Sequence, residues 1–323
     1  MTKTKLGRQI LILVSLALVF VILNLGIYNI FTYRCVNVRS EVMQAKSIEL
    51  GEYLPFAEDS KVVKHTASLS LEGELPIFDG AAALYPVFSG FVHALYPEDS
   101  VEFDGADFTE NSALQMNNTR DAYKKIVDGD TDIAICAKPS AEQLAYAEEQ
   151  GVELEFVPIG REAFVFLVNK QNPVDSLTVD QIRGIYSGEY TNWAHVGGEH
   201  TPIGALQRNE GSGSQTAFLG FMGDVPVKTD RNTFLGSAIG FSFRYYVEDV
   251  VQNGNVKMLS LNGVYPNEEN IKNGTYPIIN EIYAVYRTDN DNPNVPAVID
   301  WILSEEGQAI IEETGYVGIA KNK

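Results

Sequence analysis

The chain has 323 residues, 45% of them hydrophobic and 21% charged, with a formal net charge of −19. That length suits two domains, each able to bury its own core, and no Pro-, Ser- or Gln-rich tract places it among disordered chains. Residues 1–34 hold four of the 24 basic side chains and none of the 43 acidic ones, so the remainder carries −23, a sign that argues against nucleic acid or an anionic membrane surface as partner.

The first segment departs from this globular composition. Residues 10–31 run without a charge, about 33 Å as a helix and enough to cross a bilayer's hydrocarbon. Lys3, Lys5 and Arg8 precede it with no acid, which keeps the amino terminus in the cytoplasm and the bulk of the chain extracytoplasmic. A cleaved signal peptide needs a shorter apolar core and small residues at the cut, and Tyr28-Asn29-Ile30-Phe31-Thr32-Tyr33 offers none. A lipoprotein needs small residues before its cysteine, but Cys35 follows Thr32-Tyr33-Arg34. The pattern therefore predicts an uncleaved, single-pass anchor in the cell membrane: a cytoplasmic leader over 1–8, a transmembrane helix over 9–32 and a stalk over 33–66. Cys35 beside the membrane and Cys136 in an apolar run read as separate thiols, not a disulfide framework.

From Ser68 onward, short apolar strands alternate with amphipathic helices, as in an α/β chain. Residues 75–78 predict a strand running into Asp79-Gly80, then a helix through Leu84, Val87, Phe88, Phe91 and Leu95, with Pro86 tolerated in the first turn. Asn118 or Thr119 caps a helix closing at Gly129, and residues 132–136 follow as a strand. Ser140-Ala141-Glu142-Gln143 and Thr178-Val179-Asp180-Gln181 are capping boxes that open two more helices. Residues 156–159, 163–169 and 281–287 read as buried strands. The apolar runs near 156–169 and 278–287 predict two crossovers, giving a first lobe over 67–160 plus 281–323 and a second over 161–280.

Three segments offer chemistry. In Gln207-Arg208-Asn209-Glu210-Gly211-Ser212-Gly213-Ser214-Gln215, Ser212 or Ser214 caps a helix through Phe218 and Phe221. Its free amides and positive dipole end make an oxyanion seat, to which Arg208 adds a planar fork; a flexible Gly-Ser loop with a surface arginine fits the same residues. Asp79-Gly80-Ala81-Ala82-Ala83 places another set of amides at a helix start, as many strand-to-helix turns do. Asn117-Asn118-Thr119-Arg120 is either a plain cap or a hydroxyl ligand.

Together these segments resemble the phosphate-binding proteins of ATP-driven phosphate importers, from about Pro76 to Val317. The resemblance rests on Asp79-Gly80-Ala81-Ala82-Ala83-Leu84-Tyr85-Pro86, Lys138-Pro139-Ser140, residues 163–170, Thr191-Asn192-Trp193, the arginine followed by Gly-Ser-Gly-Ser over 208–214, and Gly315-Tyr316-Val317. It implies a type II-like periplasmic-binding-protein fold: two α/β lobes around a central ligand cleft. By position it makes Arg208, Ser212, Gly213, Ser214 and Thr119 anion ligands, adds Gly80, Ala81, Ala82 and Ala83 through backbone amides, and gives Glu210 the orienting of Arg208. One departure stands out. The family often carries an aspartate before its Lys/Ala-Pro segment, able to accept the proton on phosphate, and Cys136-Ala137-Lys138-Pro139 has none. Discrimination against unprotonated sulfate is expected to be weaker for that reason.

The function implied is capture of phosphate or a related oxyanion for an ABC importer, with permease and ATPase subunits as partners and no cofactor. A sensor or scaffold of the same fold is the alternative. An anchored hydrolase fits poorly, since Ser212 is flanked by Glu210 and Ser214 where a nucleophile elbow has glycines. His65, His93, His195 and His200 form no His-Glu-x-x-His pattern, so neither catalysis nor a metal site is expected.

Overall fold

The computed structural model describes residues 11–28, 48–228, 237–251 and 254–319. Helix α1, Leu11–Tyr28, has a mean hydropathy of 2.6 and is long and apolar enough to cross a membrane, a property that amino-terminal signal sequences share. The leader 1–8, both ends of the anticipated anchor and Cys35 lie outside the described residues.

The remaining described chain is a separate unit. Strand β1 (Phe78–Gly80) leads through a 3-10 turn at Ala82–Leu84 into α2 (Tyr85–Leu95), whose Pro86 occupies the first turn. Helix α3 (Asn118–Asp128), β2 (Ile133–Ala137), α4 (Ala141–Gln150) and β3 (Leu154–Asn169) follow. Next come β4 (Ser176–Leu177), α5 (Val179–Ser187), β5 (Gly204–Ala205), α6 (Gly213–Met222), β6 (Ala238–Phe243), β7 (Val256–Met258), β8 (Ser260–Leu261) and α7 (Glu268–Lys272). The last elements are β9 (Ile279–Arg287), α8 (Asn294–Ile302), α9 (Glu305–Thr314) and β10 (Val317–Gly318). Both capping boxes form: Ser140 with Gln143 opens α4, and Thr178 with Gln181 opens α5. Gly129 closes α3 at φ +83°, a conformation that glycine adopts without a Cβ penalty.

The main sheet runs β1-β2-β9-β3-β6-β5, with β7 and β10 also on β3. Strand β3 holds it together. Its first part pairs antiparallel with β9 from Leu154 to Ala163, shifting register between Pro158 and Gly160, and its second part pairs with β6 from Phe164 to Val168. The buried side chains divide accordingly. One cluster runs from Ile48 to Ile159 and resumes from Ile282 to Tyr316; the other runs from Ala163 to Tyr276. Two residues cross over: Tyr245 packs in the first cluster and Val317 in the second. Val317 does so because β10 pairs with β3 at Arg161, where the clusters meet.

The stalk reading is corrected for residues 48–66. Ile48, Tyr53 and Val62 are buried in the first cluster, the Tyr85 hydroxyl donates to Leu50 O (3.2 Å), and the Ser89 hydroxyl donates to Tyr53 O (2.5 Å). A coil strap carrying a single 3-10 turn buries its apolar residues without any regular period, so its packing left no pattern to read.

At the junction on β3, Glu162 is buried with Arg244, whose Nε lies 3.4 Å from Glu162 Oε1. Arg244 also donates to Glu248 Oε2 (2.7 Å) and to Gly315 O, and Glu162 accepts from the amides of Ala163 (2.7 Å) and Tyr245 (3.2 Å). Burial pushes the Glu162 carboxyl up from its ordinary 4.5 to about 7, with Arg244 acting against that. A carboxyl raised in the folded state binds its proton more tightly there than in the unfolded chain. Its stabilising contribution is full below about 4.5 and is lost as the pH climbs through about 7. Relative to Glu162→Gln, the wild-type melting temperature should therefore fall across that window. Parallel profiles for the two proteins would contradict the assignment.

Candidate functional site

One wall of the site is built where β1 and β2 end. A Cβ on Gly80 would sit 2.4 Å from Ile135 O and 2.9 Å from Phe88 Cε1, so glycine is required for β1 to lie against β2. Asp79 is fully buried and accepts from Gly80 N (2.7 Å), Asn117 N (2.8 Å) and Asn117 Nδ2 (2.9 Å). Burial pushes its carboxyl above the ordinary range, and these three donors act in the opposite direction. Ala81 N donates to Ile135 O (3.0 Å). Two of the four expected amide ligands, Gly80 and Ala81, are thus engaged within the fold, because parallel pairing with β2 and the Asp79 turn take their N–H groups. Those of Ala82 and Ala83 open the 3-10 turn and have no acceptor among the described residues, the usual state of the first N–H groups of a helical turn. The Tyr316 hydroxyl holds that turn through Ala83 O.

The Asp79–Asn117 clamp ties the end of β1 to the start of α3. Asn117 occupies the cap position, yet its side chain is turned to Asp79 and caps nothing. The cap expected at Asn118 or Thr119 is therefore absent: Asn118 takes φ +61°, and Thr119 lies in the first turn, 8% exposed. The leading amides of α3 consequently remain open beside the Thr119 hydroxyl.

The opposite wall is the start of α6. Ser212 caps it, accepting from Gln215 N (3.3 Å) while donating to Asn209 O (2.8 Å). Gln215 is 7% exposed and holds two partners, accepting from Arg208 N (2.9 Å) and donating to Gln207 Oε1 (3.1 Å). The Arg208 backbone is thereby fixed to α6. Its guanidinium has no hydrogen-bond partner among the described residues, and its charge acts on Tyr246, whose phenol burial raises. The orienting pair expected between Glu210 and Arg208 does not form: Glu210 is exposed, carried outward by the turn at Gly211 (φ +77°).

The walls come together at the start of α6. A Cβ on Gly213 would lie 3.2 Å from Thr119 Oγ1 and 3.9 Å from Ala137 Cβ, and one on Gly211 would lie 3.4 Å from Arg120 Cδ. Ala137 is held by the Tyr123 hydroxyl, which donates to its carbonyl (2.7 Å). Thr119, Ala137 and the 211–213 loop are thus brought together. Ala82 and Ala83 are linked to them through the Asp79–Asn117 clamp.

A family model described as PBP superfamily domain matches residues 80–306. The chain belongs to the PBP superfamily. PstS of Borreliella burgdorferi, a phosphate-binding protein, is 25% identical over 178 residues, covering 49% of this chain and 63% of the relative. Protein SphX of Synechococcus elongatus is 23% identical over 289 residues, covering 82% and 83%. A chain from Clostridium perfringens, described as a phosphate ABC transporter substrate-binding protein and solved with bound phosphate, aligns with a TM-score of 0.58 at 25% identity, over 76% of this chain and 100% of its own. The mixed α/β, periplasmic-binding-protein-like fold and the resemblance drawn from the motifs both stand on these comparisons.

Two side chains that shape this PBP-superfamily site carried no role in the sequence reading. Asn117 stands beside the cap candidates Asn118 and Thr119, and its partner Asp79 lies 38 residues away. Gln215 carried a usable signal: it falls on the stripe of Phe218 and Met222, both buried, where a polar side chain needs fixed partners. Among the described residues, no cluster of three or more His, Cys, Asp or Glu side chains is arranged to hold a metal ion.

Proposed function

We propose that this PBP-superfamily chain is an extracytoplasmic solute-binding protein, anchored by α1, that captures phosphate or a related oxyanion for an ABC importer. The observation that carries this reading is the meeting of Thr119 with Gly213 at the start of α6. In this reading the open amides of α3, the dipole end of α6 and the Thr119 hydroxyl serve as donors from two walls to one small anion, and Arg208, whose backbone is held to α6, adds its fork. The lobes proposed are 67–160 plus 281–323 and 161–280, hinged on β3 and β9. Ligands proposed are Thr119, Arg208, Gly213 and Ser214 with the amides of Ala82 and Ala83, while Ser212 serves as the cap. The reading is of a binder, not a catalyst, since both hydrogen bonds of Ser212 Oγ go to the backbone and none among the described residues goes to a base.

Selectivity follows from the same geometry. Asp79 has its oxygens engaged by Gly80 and Asn117, and Glu210 points outward, so neither carboxylate is placed to accept a phosphate proton. Thermal-shift measurements on the full chain in detergent should show stabilisation by phosphate and, more weakly, by sulfate; about 2.7 kcal/mol is expected at a hundredfold excess over Kd. Absence of any shift with either anion would overturn the reading.

A further inference from the structure

A cavity of about 350 Å³ opens along α6 beside the Thr119–Gly213 contact. It is lined by Ala137 and Lys138 at the end of β2, Arg183 of α5, Gly213 and Thr216 of α6, and Asn280 of β9. Gly213 and Ala137 belong to both places, so the cavity continues directly from the proposed anion seat. Its size falls within the range of small-molecule sites and exceeds what one tetrahedral oxyanion fills.

The chemistry of the lining points one way. On a chain of net charge −19, the cavity wall contains two cations and no Asp or Glu. Arg183 is held in place: its Nε and Nη2 donate to Phe221 O (3.1 and 2.8 Å), and its guanidinium lies 5.0 Å above the Phe221 ring. That leaves Nη1 without a partner among the described residues. Lys138 likewise makes no ion pair there. Asn280 Nδ2 is a buried donor with no acceptor, and such groups are normally satisfied by a partner or ligand. A fixed guanidinium, a free ammonium and an unmet amide donor together form a receptor for a second anionic group.

We propose that the preferred ligand is a phosphoryl or phosphonyl compound carrying a second anionic group. Its tetrahedral head sits at the Thr119–Gly213 contact and its second group in the cavity on Lys138, Arg183 and Asn280. This rests on the anion reading given above and narrows it to a ligand class. Calorimetric titration of the full chain in detergent with inorganic phosphate, phosphonoacetate and pyrophosphate tests it. At least one of the two-headed anions should bind roughly tenfold more tightly than phosphate, and Lys138→Ala and Arg183→Met should each remove about that factor while leaving phosphate affinity within about twofold. Arg183 also anchors Phe221, so Lys138→Ala, at an exposed position, carries the test if the arginine variant does not fold, and Arg183→Lys should recover part of the loss. Phosphate binding more tightly than both two-headed anions would overturn the inference and leave the anion seat intact, as would substitutions that weaken all three ligands equally. Failure of every anion, phosphate included, would overturn both.

Discussion

Replacing Arg208 with alanine should weaken phosphate binding by about 2–5 kcal/mol, roughly 30- to 5,000-fold, the usual cost of truncating one partner of a buried charge pair. A chain of net charge −19 repels anions at long range, so affinity has to come from local donors. Thr119 and the amides supply dipoles; of these proposed ligands only Arg208 supplies a full charge. Its backbone is held to α6 through Gln215, and its guanidinium is not engaged by any described residue, so the fork is available to a ligand. Arg208→Lys, which keeps the charge but loses the fork, should fall between wild type and alanine. Calorimetric titration of the three proteins checks this, and unchanged affinity in the alanine variant would remove Arg208 from the site.

Phe218→Ala should cost about 3–5 kcal/mol of folding stability, as for large aromatic truncations in a packed core. Phe218 is fully buried one turn into α6. Its ring stacks on Phe241 at 4.3 Å and 7°, and Tyr186 lies 4.5 Å away. These contacts join α6 to β6 and α5, so the helix that presents Gly213 and Ser214 is seated on this aromatic group. Urea denaturation should show the midpoint displaced with little change in slope. A loss under about 1 kcal/mol would mean that α6 is seated elsewhere.

What could be read from the sequence was local. The capping boxes at Ser140 and Thr178 formed as written because each motif closes within four residues. The start of α6 was legible as a cap at Ser212 or Ser214, of which Ser212 serves, and the two strands read over 156–159 and 163–169 are one continuous β3. Long-range partners were not legible. Asp79 and Asn117 find each other only after β1 and α3 pack, and Glu162 meets Arg244 only once β6 lies on β3. The four amides of residues 80–83 look equivalent in sequence; β2 pairing and the Asp79 turn separate Gly80 and Ala81 from Ala82 and Ala83. The resemblance gave Glu210 the orienting of Arg208, but Glu210 stands exposed at the turn before Gly211 and forms no ion pair with it among the described residues.

The cavity beside Gly213 depended on residues from α5, α6, β2 and β9 converging, which no single segment announces. It also gives the missing aspartate a structural setting. Ala137 and Lys138 stand where the resemblance led one to look for a carboxylate, and they line a cationic cavity in this fold.

The most direct test of the account is a crystal structure of the protein grown with phosphate. One tetrahedral density is expected, held between the Ala82 and Ala83 amides and Thr119 on one wall, and Arg208, Gly213 and Ser214 on the other. Phosphate bound away from Thr119 and Arg208, or no phosphate at a concentration that stabilises the protein in solution, would contradict it.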